Sequence, residues 1–474
     1  MVFNSYLFIC FAVVLFSIYF LNLGWRIKKL ILLLMSYLFY ASWNAPYLLL
    51  ILLSTVLDFV SGYRISKALT QRQKRFWLII SLVGNLGVLS YFKYGSFLLE
   101  GFVQFVAAFG ITYEPAPWNI LLPVGISFYT FQTLSYTIDI YRGRTKPTRS
   151  FLDFALFVTF FPQLVAGPIV RARFFLPQLL RPPVVTRERF GWGGTLVLIG
   201  FFEKIAIADG LMAPVVDSVF AQSGTLPSET VLLSAMAFGV QIFCDFAGYS
   251  LIAIGVAMMM GFSLPENFRA PFSAIGMQDF WQRWHISMSS WFRDYLYAPL
   301  RGKNSSFGYK LFAQLMTMTV IGLWHGAGVT FVLWGFLNGL VIVIEILLQR
   351  SIGSWKIWKT RFATILFSGM TLMTMMLLVI IFRSRSFQQV MDMYASFFTS
   401  HPETAFYLPT TEKLLVLICS ISLASIHWTM RGRRFEDIVR AIPNWCRVCV
   451  GAFMVAMIGL MGGEAYDTFI YFQF

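Results

Sequence analysis

Charge is scarce in this sequence: Asp, Glu, Lys and Arg make up 12% of its 474 residues, about half of the roughly 25% usual in soluble domains. So little charge cannot cover a water-facing surface, and a soluble globular protein is excluded. Cysteine is scarce too, with five in the chain. Cys10, Cys244 and Cys419 sit in apolar runs, so no disulfide framework is expected. Cys446 and Cys449 form one unpaired C-x-x-C beside Arg447, too little for a zinc or redox centre, and no metal site is expected. There is no P-loop or dinucleotide fingerprint, no tandem repeat and no low-complexity tract.

What is present is apolar surface: 58% of residues are hydrophobic and the mean hydropathy is +0.69. Runs near the roughly 20 residues needed to cross a bilayer recur from end to end, without the alternation of barrel strands, so the expected fold is an all-α polytopic membrane protein. The first run, Val2 to Leu23, has no basic segment before it and no small-residue cleavage site after it, so it is expected to stay as a helix.

The net charge of +15 comes from 37 basic against 22 acidic residues. The basic residues lie in short clusters between apolar runs, which fits the positive-inside rule rather than nucleic-acid binding. The clusters are Arg26–Lys29, Arg64–Arg75, Arg142–Arg149, Arg171–Arg189, Arg301–Lys310, Arg350–Arg361 and Arg431–Arg440. Placing all of them in the cytoplasm puts both ends of the chain outside and leaves Arg383 and Arg385 as the exception. Crossings are then expected near 3–23, 30–42, 46–63, 76–94, 120–141, 191–210, 231–261, 311–330, 331–348, 362–382, 413–429 and 448–463. Phe97–Gly110 must lie along the surface or re-enter, and Phe151–Val170, broken by Pro162 and Pro168, is expected to re-enter. The whole of 1–474 reads as one membrane domain, with 464–474 an extracytoplasmic tail.

Histidine is the informative rarity, with four in the chain. His401 falls in an outer loop and His427 near the end of a late helix, and both are expected to be solvated or hydrogen-bonded. His325 is different: in "IGLWHGAG" (321–328) it follows Trp324, is bracketed by Gly322, Gly326 and Gly328, and sits where one apolar run turns into the next. A lone membrane histidine can be a helix-packing residue, yet an ionisable group at that depth is a functional-site candidate. The second candidate is His285 in "QDFWQRWHISMSSWFRDYLYAPLRG" (278–302), where His285, Ser289, Phe292 and Leu296 recur at helical spacing beside interface-favouring Trp and Tyr rings. An interfacial helix accounts for those aromatics but not for the imidazole.

Several long blocks carry a resemblance: "LPVGISFYTFQTLSYTIDIYRG" (122–143), "FPQLVAGPIVRARFFLPQL" (161–179), "QIFCDFAGYSLIAIG" (241–255), "PENFRAPF" (265–272), the His285 stretch and "GLWHGAGVTFVLWG" (322–335). Together the chain resembles the membrane-bound O-acyltransferases, in the bacterial branch similar to alginate and peptidoglycan O-acetyltransferases. The resemblance implies a ring of about 11–12 transmembrane helices plus re-entrant or interfacial helices around a central funnel. It also implies His325 as the catalytic histidine, His285 as the second motif histidine, and an acyl donor arriving from the cytoplasm. Leu251, Arg301 and Asn338 depart from the family pattern, which leaves the reaction class intact and the polymer open.

The chemistry agrees with that class, because a neutral imidazole can take the proton of an attacking hydroxyl without a metal. The expected function is O-acyl transfer, most simply acetyl, from cytosolic acetyl-CoA to an extracytoplasmic polysaccharide, in a bacterial inner (cytoplasmic) membrane. No cofactor is expected to stay bound. The polymers considered are alginate-like exopolysaccharide, cellulose and peptidoglycan, with D-alanyl transfer to teichoic acid as the alternative. A secreted SGNH-type acyltransferase is the expected partner, with membrane lipid around the chain and no nucleic acid. Arg283, Trp284, Ser289, Trp324, Asp294 and Tyr295 are candidate substrate-binding residues, and Arg171, Arg173, Arg283 and Arg301 candidate donor contacts. Two other classes are alternatives: a proton-coupled transporter using Asp58, Asp139, Asp209, Asp245 and Glu345, and a non-catalytic scaffold. Finally, Phe469, Tyr471 and Phe474 form an F-x-Y-x-x-F pattern in the tail. It reads either as an aromatic anchor or, by its similarity to the C-terminal motif of the small partner in teichoic acid D-alanylation, as an acyl carrier through Tyr471.

Overall fold

The computed structural model of the protein describes residues 1–118, 120–165, 167–302, 305–353, 360–404 and 406–462. The tail residues Phe469, Tyr471 and Phe474 therefore lie outside the described residues. The chain divides into two compact units, one of Met1–Val197 with Ile252–Pro265 and one of Leu198–Leu251 with the residues from Glu266 onward.

Each expected crossing falls on a helix, and among the described residues there is no strand. The helices are Tyr6–Tyr19, Trp25–Asn44, Leu48–Lys67, Gln71–Ala107, Ile126–Tyr141, Arg187–Phe201 continued by a π-helical stretch Phe202–Met212, Ser228–Met259, Phe307–His325, Val329–Ile352, Arg361–Arg383, Thr410–Met430 and Asn444–Met461. Among the described residues, seven helical stretches are long and apolar enough to cross a membrane. Their outward side chains are large and apolar, as with Leu34, Ile365 and Val455, which suits lipid as the surrounding solvent. The protein is a multi-pass membrane protein.

In the first unit the structure corrects one expectation. Phe97–Ala107 is not a separate surface or re-entrant piece but the last third of the single helix Gln71–Ala107. That helix is started by a Thr70–Gln73 capping box, contains no proline and stops only before Gly110 at φ +76°. At 1.5 Å per residue it runs about 55 Å, longer than a roughly 30 Å hydrocarbon core.

Phe151–Val170 is broken as expected, into Phe151–Thr159 and Phe161–Leu164, with Phe160 between them ahead of Pro162. Phe154, Phe157, Phe160 and Phe161 are fully buried. The interrupted backbone is thus enclosed by protein, the condition under which it is tolerated at membrane depth. Asp58 accepts hydrogen bonds from Asn85 Nδ2 (2.7 Å), Thr137 Oγ1 (2.7 Å) and the Ser81 hydroxyl. It ties three helices together.

In the second unit Asp209 and Asp245 share one local partner. Lys204 Nζ pairs with Asp245 Oδ1 at 2.5 Å and Asp209 Oδ1 at 2.7 Å. Arg383, the exception to the charge rule, pairs with Asp217 at 2.7 Å and lies over the Phe220 and Phe238 rings.

The helices Phe307–His325 and Val329–Ile352 pack backbone to backbone at Gly322 and Gly335. A Cβ on Gly322 would overlap the Phe331 carbonyl oxygen and come within 2.8 Å of Gly335 Cα. Because the obstacles are backbone atoms, relief requires the helices to part. Gly322→Val is therefore expected to cost about 3 kcal/mol, the upper end for overpacking, and to deplete the monodisperse peak in detergent size-exclusion chromatography. A variant eluting and accumulating like the wild type would show that the contact is not tight.

Candidate active site

The close glycine seam fixes where His325 stands. It is the last residue of its helix, followed by the extended Gly326, and is 3% exposed. Its ring meets Trp324 (centroids 4.9 Å), Trp334 (5.2 Å, 88°) and Phe382 (5.4 Å, 75°). These contacts present ring edges rather than stacked faces and hold the imidazole by shape.

His285 does not lie on the face of a continuous interfacial helix. The helix Met277–Arg283 ends at Trp284, His285 takes a left-handed conformation (φ 43°, ψ 53°), and Ile286–Phe292 starts anew behind it. Left-handed backbone is uncommon for a residue with a Cβ and marks a site where the surroundings impose it. Here the imposing groups can be named. Arg269 N–H donates to the Arg283 carbonyl and Ile286 N–H to the Asn267 carbonyl, both at 2.9 Å. Asn267 Nδ2 donates to Ser250 Oγ (2.9 Å), and Ser287 Oγ donates to Asn267 Oδ1 (2.5 Å). Three sequence blocks, those containing Ser250, Asn267 and His285, thus meet at one buried polar knot.

The interfacial reading of the aromatics is corrected as well. Trp281, Trp284, Trp291 and Tyr295 are buried in protein. Amphipathic rings suit a membrane interface and a packed interior equally, and composition cannot separate the two. His285 is fully buried, lies edge-on to Phe246 (4.5 Å) and contacts Trp324 (6.0 Å). Neither of its ring nitrogens has a hydrogen-bond partner among the described residues. Burial pushes the imidazole down to about 3, so it is neutral at physiological pH. The Trp324 indole touches both histidine rings, which the forty-residue spacing (325 − 285) made possible.

Beside His325 is a cavity of about 80 Å³, lined among others by Trp281, Trp284, Trp334, Met375 and Phe382. Of its lining residues, His325 alone is ionisable. The helix carrying Trp281 and Trp284 is fixed at its start by Glu345, whose carboxylate accepts from Met277 N–H (2.7 Å) and Gln278 N–H (3.1 Å). A carboxylate on helix N-terminal amides is a favourable electrostatic cap, and the membrane carboxylate Glu345 has that structural role.

The other sequence candidates take varied positions. Trp284 lines the cavity and stacks on Phe280 (5.5 Å, 17°). Arg283 is bound to Asp279 Oδ1 (2.7 Å) and to the Arg269 carbonyl (3.2 Å), while Asp279 Oδ2 takes Arg431 at 3.1 Å. Ser289 Oγ donates to the Trp284 carbonyl, Asp294 pairs with Arg293 at 3.2 Å, and Tyr295 packs on Trp291. Arg301 is exposed beside the Tyr297 ring, and Arg171 and Arg173 belong to the first unit. His427 accepts from Phe272 N–H at 3.3 Å, and exposed His401 is held at its backbone by Thr399. Asn338 is buried and donates to the Trp334 carbonyl at 2.8 Å.

Sequence reading missed Phe382, Phe246 and the role of Trp334. Nothing distinguishes Phe382 or Phe246 among 50 phenylalanines. Trp334 carried a signal, an N–H donor one short helical stretch beyond His325.

Comparison with known proteins identifies the family. A model of the membrane-bound O-acyltransferase family matches residues 144–388, which include both histidines. The chain is 37% identical to the probable alginate O-acetylase AlgI of Azotobacter vinelandii, with both chains covered in full. It is 39% identical to that of Pseudomonas aeruginosa over 84% of this chain and 75% of the relative. It is also 34% identical to the peptidoglycan O-acetyltransferase of Helicobacter pylori, over 67% and 64% respectively. With a matching family model, full-length relatives and two buried histidines meeting at one tryptophan, the chain belongs to the membrane-bound O-acyltransferase family and is an O-acyltransferase.

Proposed function

We propose that the protein moves an acetyl group from cytosolic acetyl-CoA to an extracytoplasmic, alginate-like exopolysaccharide, with His325 as the general base. The observation that carries this is His325 standing as the ionisable side chain on the wall of a small apolar cavity. The reaction needs a neutral base, supplied by an imidazole. The acceptor oxygen attacks the thioester carbonyl carbon and its proton passes to the imidazole. The carbon–sulfur bond then breaks, and the thiolate takes that proton to leave as thiol. His285, neutral and locked by the Asn267 knot, positions Trp324 and through it His325. The cavity's size suits a short acyl group.

Alginate is favoured over peptidoglycan as the polymer class, because the relative matched over its full length is a probable alginate O-acetylase, whereas the peptidoglycan O-acetyltransferase is matched in part. The basic clusters favour both termini outside, and a secreted SGNH-type acyltransferase is proposed to complete the transfer. The test is purified protein in nanodiscs with acetyl-CoA labelled in the acetyl group. Thioester consumption is expected, and more than about tenfold less of it from His325→Ala. A chain that consumes no thioester while moving protons or solute across a liposome would overturn the reading in favour of transport.

A further inference from the structure

The acyl-transfer transition state places negative charge on the carbonyl oxygen, and a site that accelerates the step needs donors aimed at that oxygen. The lining of the His325 cavity includes no lysine or arginine. It does include Trp281 and Trp334, which are 7% and 5% exposed. Their rings lie 5.8 Å apart at 69°, and Trp334 is edge-on to His325. Both indole Nε1–H groups are buried and have no acceptor among the described residues.

Buried polar groups are nearly always paired, so these two orphan indole donors, on residues that line one small cavity together with the unpaired Ser420 hydroxyl, call for a partner. An indole N–H can only donate, which restricts that partner to an acceptor atom. Trp281 rides on the helix capped by Glu345, and Trp334 belongs to the glycine-seamed helix, its carbonyl accepting from Asn338 Nδ2. Because Glu345 and Trp334 lie on one helix, Val329–Ile352, that helix sets the position of both indoles.

We propose that the Nε1–H groups of Trp281 and Trp334 bind the carbonyl oxygen of the acyl group and stabilise the oxyanion of the tetrahedral intermediate. This rests on the reading of His325 as the base. As the acceptor oxygen bonds to the carbonyl carbon, the carbonyl π electrons move to the oxygen held by the two indoles. When they return, the carbon–sulfur bond breaks, and the proton taken by His325 passes to the departing thiolate. The indoles gain and lose no proton, so they act through hydrogen bonding alone.

The experiment is done in cells carrying the full chain, by following the initial rate at which base-labile ester groups accumulate in the secreted and envelope polysaccharide. Trp281→Phe and Trp334→Phe are each expected to lower that rate by about 10²-fold, the usual loss for one oxyanion donor. To separate hydrogen bonding from ring shape, 3-benzothienylalanine is introduced at each position by amber suppression, which keeps the bicyclic outline and replaces N–H by sulfur. It is expected to be as slow as the phenylalanine variant. Wild-type rates with benzothienylalanine, or with both phenylalanine variants while His325→Ala is inactive, overturn the indole assignment and leave the base in place. A fully active His325→Ala removes the base reading instead, and with it the proposal as stated.

Discussion

His325→Ala is expected to abolish polymer acylation, lowering the rate by about 10³-fold or more, while the protein accumulates in the membrane near the wild-type level. A general base contributes about 10²–10⁴-fold, and no other ionisable side chain lines the cavity to replace it. The fold should tolerate the change because the tight contact between the two helices is made by Gly322 and Gly335, not by the imidazole. His325 ends its helix, so alanine also leaves the backbone pattern intact. The measurement is the ester content of the polymer beside the amount of protein in the membrane fraction. Near-normal acylation would remove His325 from the mechanism, and loss of the protein itself would make its role structural.

Tyr471→Phe is expected to eliminate polymer acylation as completely, through a different step. The reading starts from the F-x-Y-x-x-F pattern of Phe469, Tyr471 and Phe474, outside the described residues. Tyr471 lies eight residues beyond Gly463 (471 − 463). An extended segment of that length reaches roughly 26–29 Å, more than half of a roughly 30 Å hydrocarbon core. We propose that the phenol attacks the thioester with His325 accepting its proton, giving a phenyl ester and a thiol. A polymer hydroxyl then displaces the phenol on the secreted partner. A phenol of pKa about 10 is a better leaving group than a sugar hydroxyl, so the ester keeps its transfer potential. Phenylalanine removes one oxygen and preserves the aromatic anchor. Full acylation by Tyr471→Phe, or no acyl adduct on the peptide containing Tyr471 when the partner is absent, would leave the tail as an anchor.

Helix existence was legible because crossing a bilayer demands about 20 apolar residues with internally satisfied backbone, a requirement written residue by residue. Helix ends were less legible. Whether Phe97–Ala107 continues its helix depends on where the chain next stops, and no proline or cap announced a break there. The broken 151–170 stretch was visible because Pro162 cannot continue a helix.

The sequence by itself determined the class of the protein and both candidate histidines, since scarce charge, long apolar runs and rare imidazoles are properties of composition and order. Tertiary structure decided what those histidines touch. His285 became a left-handed, fully buried residue because Ser250, Asn267 and Ser287, brought together from separate blocks, hold the backbone around it. The aromatics around it turned inward because neighbouring helices cover them, and amphipathic rings fit either environment. Phe382 reaches His325 only because its helix packs against the Val329–Ile352 helix, which Gly322 and Gly335 draw close to the His325 helix. Such contacts depend on residues far apart in the chain, and periodicity reports only on neighbours within a few turns.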